Sequence, residues 1–190
     1  MYSDPLAYML TFHTYGTWHP GDDRGSVSAS QNQYGAPLLP RSPRLVDSCQ
    51  SRQVAESVYL DAAARAVVQG SISEACAFRQ WPLLAINVRT NHVHLVVRPR
   101  ASKEKMLATL KSRATRVLRE AGLFGPERPI WTEHGSTRVL FFVEAVIGAC
   151  HYVRHGQGAQ LPSDDRWWEH WAKRAAAENP DGNAIEEPER

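Results

Sequence analysis

The chain alternates between two hydrophobic rhythms. Short stretches rich in β-branched and aromatic residues are separated by longer stretches where apolar positions recur every three or four. Residues 6–14 (LAYMLTFHT) carry β-formers and end where Gly16 opens a turn-rich segment, which predicts a first strand. Residues 15–50 are dominated by Gly, Pro, Ser, Asp and Asn and read as one long loop, a feature that in compact domains often carries function. From Ser51, the positions Val54, Val58, Ala62 and Val68 follow helical spacing, and a second helical piece is predicted over 71–79. LLAINV and HVHLVV, residues 83–88 and 92–97, are strand-like runs joined by a very short polar link, which predicts a hairpin.

Pro99 stops the second of these strands and Ser102 is a natural N-cap. Met106, Leu107, Leu110, Ala114, Val117, Leu118 and Ala121 then form an apolar helical stripe that Gly122 ends. TRVLFF, residues 137–142, predicts a last strand, and residues 144–155 a short helix closed by Gly156. Strand, helix, strand, strand, helix, strand, helix is the order of a split βαβ, ferredoxin-like α+β fold. The expectation is an antiparallel sheet with helices on one face and one added C-terminal helix. Residues 1–160 are read as a single domain containing a loop insertion over 14–50. Residues 161–190 form a tail with Trp167, Trp168 and Trp171, its acidic end expected to be disordered.

At 190 residues, 43% hydrophobic and 22% charged, the composition fits one globular domain. No apolar run is long enough to span a bilayer and the N-terminus has no export signal, so a cytoplasmic protein is expected. Cys49, Cys76 and Cys150 are widely spaced and form no CxxC pair, which argues against a disulfide framework and a thiolate zinc site. A net charge of +2 identifies no partner, but its distribution is uneven. Between Arg98 and Arg119 eight basic residues face the single acid Glu104.

Chemistry enters with His92 and His94. Alternation along a strand points both imidazoles to the same face, with Val93 directed into the opposite layer, so the pair forms half of a metal site. A lone HxH is a weak signal, and its context here is a tyrosine. With Val143 as origin and about 100° per residue, Val143, Val146, Ile147, Cys150 and Val153 cluster on one face of the last helix, and Tyr152 projects nearly opposite. Gly148 and Gly156 flank it at i−4 and i+4, leaving that side open.

NHVHLVV at 91–97 and the helix containing HYVRHGQG at 151–158 resemble the HUH-type single-tyrosine transposases of bacterial insertion sequences and their REP-associated relatives. The segments TYGTWHPGDDRGSV at 14–27 and RPIWTEHGSTR at 128–138 are similar to a subgroup of short transposase-like proteins, and the likeness spans roughly residues 6–158. The resemblance implies a ferredoxin-like domain in which His92 and His94 hold Mg2+ or Mn2+ and Tyr152 is the nucleophile. Well-known members carry a Gln four residues after the tyrosine. Position 156 here is Gly, so the third ligand is either Gln157, if Gly156 breaks the helix, or His155.

A phenol attacking a phosphodiester needs the non-bridging oxygens neutralised and the phosphate aligned, which one divalent ion with open positions provides. The resulting phosphotyrosine conserves the bond energy for rejoining strands. The implied partner is single-stranded or hairpin DNA, with no membrane and with room for a homodimer. Lys105, Lys111, Arg113, Arg116 and Arg119 are candidates for tracking phosphates, and Tyr15 and Trp18 for stacking on bases. Two rivals stand beside this reading. One is a domesticated hairpin-binding protein that no longer cuts; the other is a zinc hydrolase, for which no HxHxDH or HExxH set is present.

Overall fold

The computed structural model describes residues 4–23, 25, 39–159 and 161. Their elements run β1 (Ala7–His13), α1 (Pro43–Gln50), α2 (Ala62–Phe78), β2 (Leu83–Val88), β3 (His92–Val97), α3 (Lys103–Glu120), β4 (Ser136–Leu140) and α4 (Val143–His155). The four strands form one sheet in the order β2-β3-β1-β4 with every neighbouring pair antiparallel. Setting α1 and α4 aside, this is the split βαβ arrangement, α+β in class.

Side-chain alternation divides the sheet into two faces. Leu10 and Phe12 of β1 and Val93, Leu95 and Val97 of β3 join Val68 and Ile72 of α2 and Met106, Leu110 and Leu118 of α3 in the main core. Each of these fully buried side chains contributes roughly 1.5–3 kcal/mol. On the other face Ala7, Ala85, Val96 and Leu140 pack against Ala149 and Val153 of α4. Met9, Thr11 and His13 of β1 and His92 and His94 of β3 share that second face by the same alternation. Because β3 is covered on both sides, five of its six positions are buried, which explains why its sequence reads as a nearly continuous apolar run.

Several boundaries differ from the sequence expectation. Residues 15–50 are not all loop: α1 lies within them, begun by Ser42, whose side chain accepts from Leu45 N, and by Pro43 in the first turn. Residues 51–61 are not helical. Val58 N and Leu60 N instead donate to Tyr15 O and Thr90 O, and this irregular segment buries Val58 and Leu60 while Val54 stays exposed. The helix starts after Asp61, which accepts from Ala64 N, and α2 then continues unbroken to Phe78 where two pieces were expected. In keeping with the expected fold class, α2 and α3 share one face, and the added C-terminal helix α4 covers the other. On α4 the buried stripe is Ala149 and Val153 with Ala145, Val146 and Cys150 packed beside them, whereas Val143 and Ile147 are exposed. The small alanines, weak signals in a hydrophobicity pattern, are what let α4 approach the sheet. The Trp-containing tail over 162–190 and residues 26–38 of the early segment lie outside the described residues.

Candidate active site

The site is built on the β1–β3 pair, where His13 faces His92 and Thr11 faces His94 across the ladder. The His92 and His94 rings are 4.6 Å apart, centroid to centroid, and His13 lies 5.6 Å from His92. The turn that presents His92 is pinned from beneath: the Asn91 carbonyl accepts from Thr14 N at 2.9 Å and from the buried hydroxyls of Thr14 and Thr17 at 3.1 and 3.3 Å.

Each histidine of the pair has Nδ1 engaged by the protein. His92 Nδ1 meets Asn91 Oδ1 at 2.8 Å, and His94 Nδ1 meets the Thr11 hydroxyl at 2.7 Å. Because a carboxamide oxygen only accepts, His92 carries its proton on Nδ1, and when the ring is neutral Nε2 presents a lone pair. His94 is nine-tenths buried. Burial first, and then the neighbouring His92 and His13, hold its pKa down to about 3, against a partial opposing effect of a hydrogen bond with Gln157. It is therefore a neutral imidazole at ordinary pH.

Tyr152 and Gln157 complete the arrangement from α4. The Tyr152 ring is 5.7 Å from that of His94 and 46% exposed, so the phenol borders the histidines and is also open to solvent. α4 ends at His155, and Gly156 N donates back to Tyr152 O at 2.8 Å. The chain then turns and brings Gln157 Oε1 to 3.4 Å from His92 Nε2, while Gln157 Nε2 donates to Tyr152 O at 3.2 Å. With the Gln157 amide nitrogen donating to that carbonyl, Gln157 Oε1 and the lone pair of His92 Nε2 stand 3.4 Å apart. That arrangement is balanced by a cation, so the donor set fits a divalent metal. Among the described residues no three His, Cys, Asp or Glu side chains gather as a metal-ligand group. His155 instead stacks beside His151, 4.9 Å away and exposed.

Three hydrogen bonds seat the tyrosine helix on β2 and the residues after it: Asn87 Nδ2 to Val153 O at 2.9 Å, Arg154 Nη2 to Leu84 O at 2.6 Å, and Arg89 Nη1 to Ala159 O at 2.9 Å. Histidines, tyrosine and glutamine of one chain therefore stand together.

The residues expected to bind DNA divide. Trp18 lies against His13, ring centroids 4.2 Å apart, and so borders the histidines. Tyr15 does not serve as an open platform: it packs on the main core and its hydroxyl accepts from Val54 N at 3.0 Å. Lys111 and Arg113 are likewise engaged in the fold. Lys111 Nζ donates to the carbonyls of Thr132, Glu133 and His134, and burial lowers its pKa although Glu133 pulls the other way. Arg113 pairs with Glu74 at 2.9 Å and ties α3 to α2. Lys105 is exposed, Arg116 lies near Glu120, and Arg119 reaches Arg128 O. Since α3 packs on the sheet face opposite α4, the structure does not bring this basic helix onto the histidine face.

His13, Thr11 and Asn91 were not picked out by sequence reasoning. The signal available for the first two was their period-two spacing on the first strand. Among the described residues, open clefts lie at two places on the sheet. The larger, about 730 Å3, lies by Arg79, Trp81 and Arg100, away from the histidines, and the other, about 520 Å3, contains Thr11 and Tyr152. Proximity to the chemistry makes the second the relevant one.

No protein-family model and no curated protein matches the chain. Among solved structures it is similar to a REP-associated tyrosine transposase bound to a REP hairpin, over 80% of this chain and 67% of that one, at 11% identity and a TM-score of 0.42. It is also similar to a protein from Deinococcus radiodurans R1 provisionally described as a transposase, over 84% of this chain and 95% of that one, at 16% identity and a TM-score of 0.41.

Proposed function

We propose that the chain is a metal-dependent, single-tyrosine DNA strand transferase acting on single-stranded or hairpin DNA. The observation that carries this reading is the placement of Tyr152, 5.7 Å from His94 and half exposed, over a pair of imidazoles whose Nδ1 atoms are both held by the protein. His92 and His94 through Nε2, and Gln157 through Oε1, would hold Mn2+ or Mg2+. Bound there, the ion would supply charge neutralisation and a point of orientation for the scissile phosphate.

The phenol oxygen of Tyr152 gives up its proton and bonds to phosphorus as the P–O3′ bond breaks. The departing 3′ oxygen takes up a proton, and the 5′ phosphate stays on the tyrosine. Attack by another 3′ hydroxyl reverses the step and joins strands without a high-energy cofactor. Asn91 holds His92 in one tautomer and orientation, Thr11 holds the orientation of His94, and the bonds from Asn87, Arg154 and Arg89 keep the tyrosine helix in register with them. Exposure of the phenol matters because its partner is a polymer that has to thread past it.

The test is incubation of labelled single-stranded and hairpin oligonucleotides with Mn2+ or Mg2+. Wild type is expected to yield a free 3′ hydroxyl and a covalent adduct that peptide mapping places on Tyr152. Tyr152→Phe, which removes one oxygen and almost no volume, should keep the fold and DNA affinity and lose both products. Binding without any adduct would assign the chain to the non-cutting class of hairpin-binding proteins, and cutting by Tyr152→Phe at the wild-type rate would move the nucleophile to another group or to water.

A further inference from the structure

The cleft beside Tyr152 has two walls. One is the edge of the sheet, where Thr11 of β1 is paired with Ser136 of β4 and Arg138 lies next along the same face; the other is α4, with Ala145, Gly148 and Tyr152. Thr11 is also the residue whose hydroxyl meets His94 Nδ1, so the floor of the cleft and the histidine site share a side chain. β4 is an edge strand, and the cleft therefore opens to solvent along the sheet margin, as a passage for a polymer must. Its volume of about 520 Å3 falls within the roughly 300–1,000 Å3 of ordinary ligand sites.

Gly148 is the informative residue of this wall. It sits in the interior of α4, where glycine costs about 1 kcal/mol relative to alanine. A Cβ built on it meets nothing within 4 Å, so neither packing nor backbone conformation asks for glycine. By contrast, a Cβ at Gly156 would collide with Tyr152. Since the fold has room for a Cβ at 148, what remains to explain the glycine is the space it leaves one turn before the tyrosine.

Resting on the strand-transfer reading, we infer that this cleft seats the nucleotide next to the scissile phosphate, with Gly148 setting the room for it and Arg138 at the mouth contacting the sugar–phosphate backbone. A nucleotide held between Thr11 and Gly148 is carried directly past the phenol. The guanidinium supplies a charge-assisted contact that reads no sequence.

The experiment is the series Gly148→Ala, Gly148→Leu and Gly148→Trp, with Arg138→Gln as an independent probe of the opposite wall. Affinity for a labelled single-stranded oligonucleotide is measured in the full-length chain carrying Tyr152→Phe, and cleavage in the chain carrying Tyr152. Affinity and kcat/KM are expected to fall as the side chain at 148 grows, by about tenfold or more for Trp. Mn2+ binding should hold throughout, thermal stability should hold or rise because any of these residues favours a helix interior over glycine, and Arg138→Gln should flatten the salt dependence of binding by about one phosphate contact. A Gly148→Trp chain that binds and cuts like wild type overturns the cleft assignment and leaves strand transfer standing. A parent chain that binds but never cuts, with affinity still declining along the series, supports the cleft and sinks strand transfer. A parent that neither binds nor cuts overturns both.

Discussion

The ring of Tyr152 occupies the space that a side chain at Gly156 would need: a Cβ built on Gly156 lies 2.7 Å from Tyr152 Cδ2 and 2.8 Å from the Tyr152 carbonyl oxygen. The glycine that ends α4 is thus fitted to the tyrosine one turn earlier, and the turn it makes is what delivers Gln157 to the histidines. Gly156→Ala has to displace either the ring or the backbone. The expected cost is about 1–3 kcal/mol of stability, together with loss of adduct formation out of proportion to that cost. Denaturant unfolding beside adduct yield measures both, and a variant with wild-type yield would show that the phenol position is not set by Gly156.

The side chains proposed as metal donors differ in their surroundings, which gives each a separate expectation. Gln157→Ala should weaken Mn2+ binding by about tenfold or more, and Asn91→Ala or Thr11→Val, which release the imidazoles, should weaken it by about 10–100-fold. His155→Ala should leave it unchanged, because His155 stacks on His151 at the surface. Calorimetric titration of the four variants orders them. If His155→Ala lost more affinity than Gln157→Ala, the third-ligand role would pass to His155.

Basic residues of α3 are expected to separate by what they touch. Lys111→Met should cost about 0.5–1.5 kcal/mol because it removes the donor of the part-buried Thr132 carbonyl, the Glu133 and His134 carbonyls being exposed to water. The combined change of Lys105, Arg116 and Arg119 to Gln should leave stability nearly untouched. If α3 also meets DNA, the triple variant will lower affinity uniformly across sequences and reduce the salt slope. Unchanged affinity and slope would make it a solvated surface, as its place on the sheet face opposite Tyr152 suggests.

Much of this architecture was legible because its determinants are local. β1, the β2–β3 hairpin and α3 carry strong periodicity, and Ser102 caps α3 as its sequence position implies. The pair His92 and His94 was legible for the same reason, since alternation alone fixes a shared face. What escaped were consequences of long-range pairing. Residues 51–61 have helical spacing, but the backbone of Val58 and Leu60 bonds instead to Tyr15 and Thr90, partners that are distant in sequence. Thr11 and His13 became part of the site only through the β1–β3 register, and Lys111 left the candidate interface because the loop over 132–134 folds back onto it. Charge on a helix is visible in sequence; the carbonyls that consume it are not.

Acid sensitivity of the metal-free protein tests the electrostatics of the site directly. In the unfolded chain the His94 imidazole titrates near 6.5, whereas in the folded chain burial and the adjacent His92 and His13 hold it near 3. Between those values the unfolded state binds a proton that the folded state does not, so stability rises with pH through this window. The contribution is fully present above pH 6.5 and drains away as pH falls toward 3, at a limiting slope of about 1.4 kcal/mol per pH unit. His94→Gln removes that titration. Urea unfolding in the presence of a chelator should therefore show wild type losing about 1.4 kcal/mol more than His94→Gln between neutrality and pH ~5.5. Parallel stability profiles for the two proteins across that range would mean that His94 is hydrated and protonates in the folded state. The neutral, lone-pair-bearing imidazole on which the metal fit depends would then be absent at mildly acidic pH.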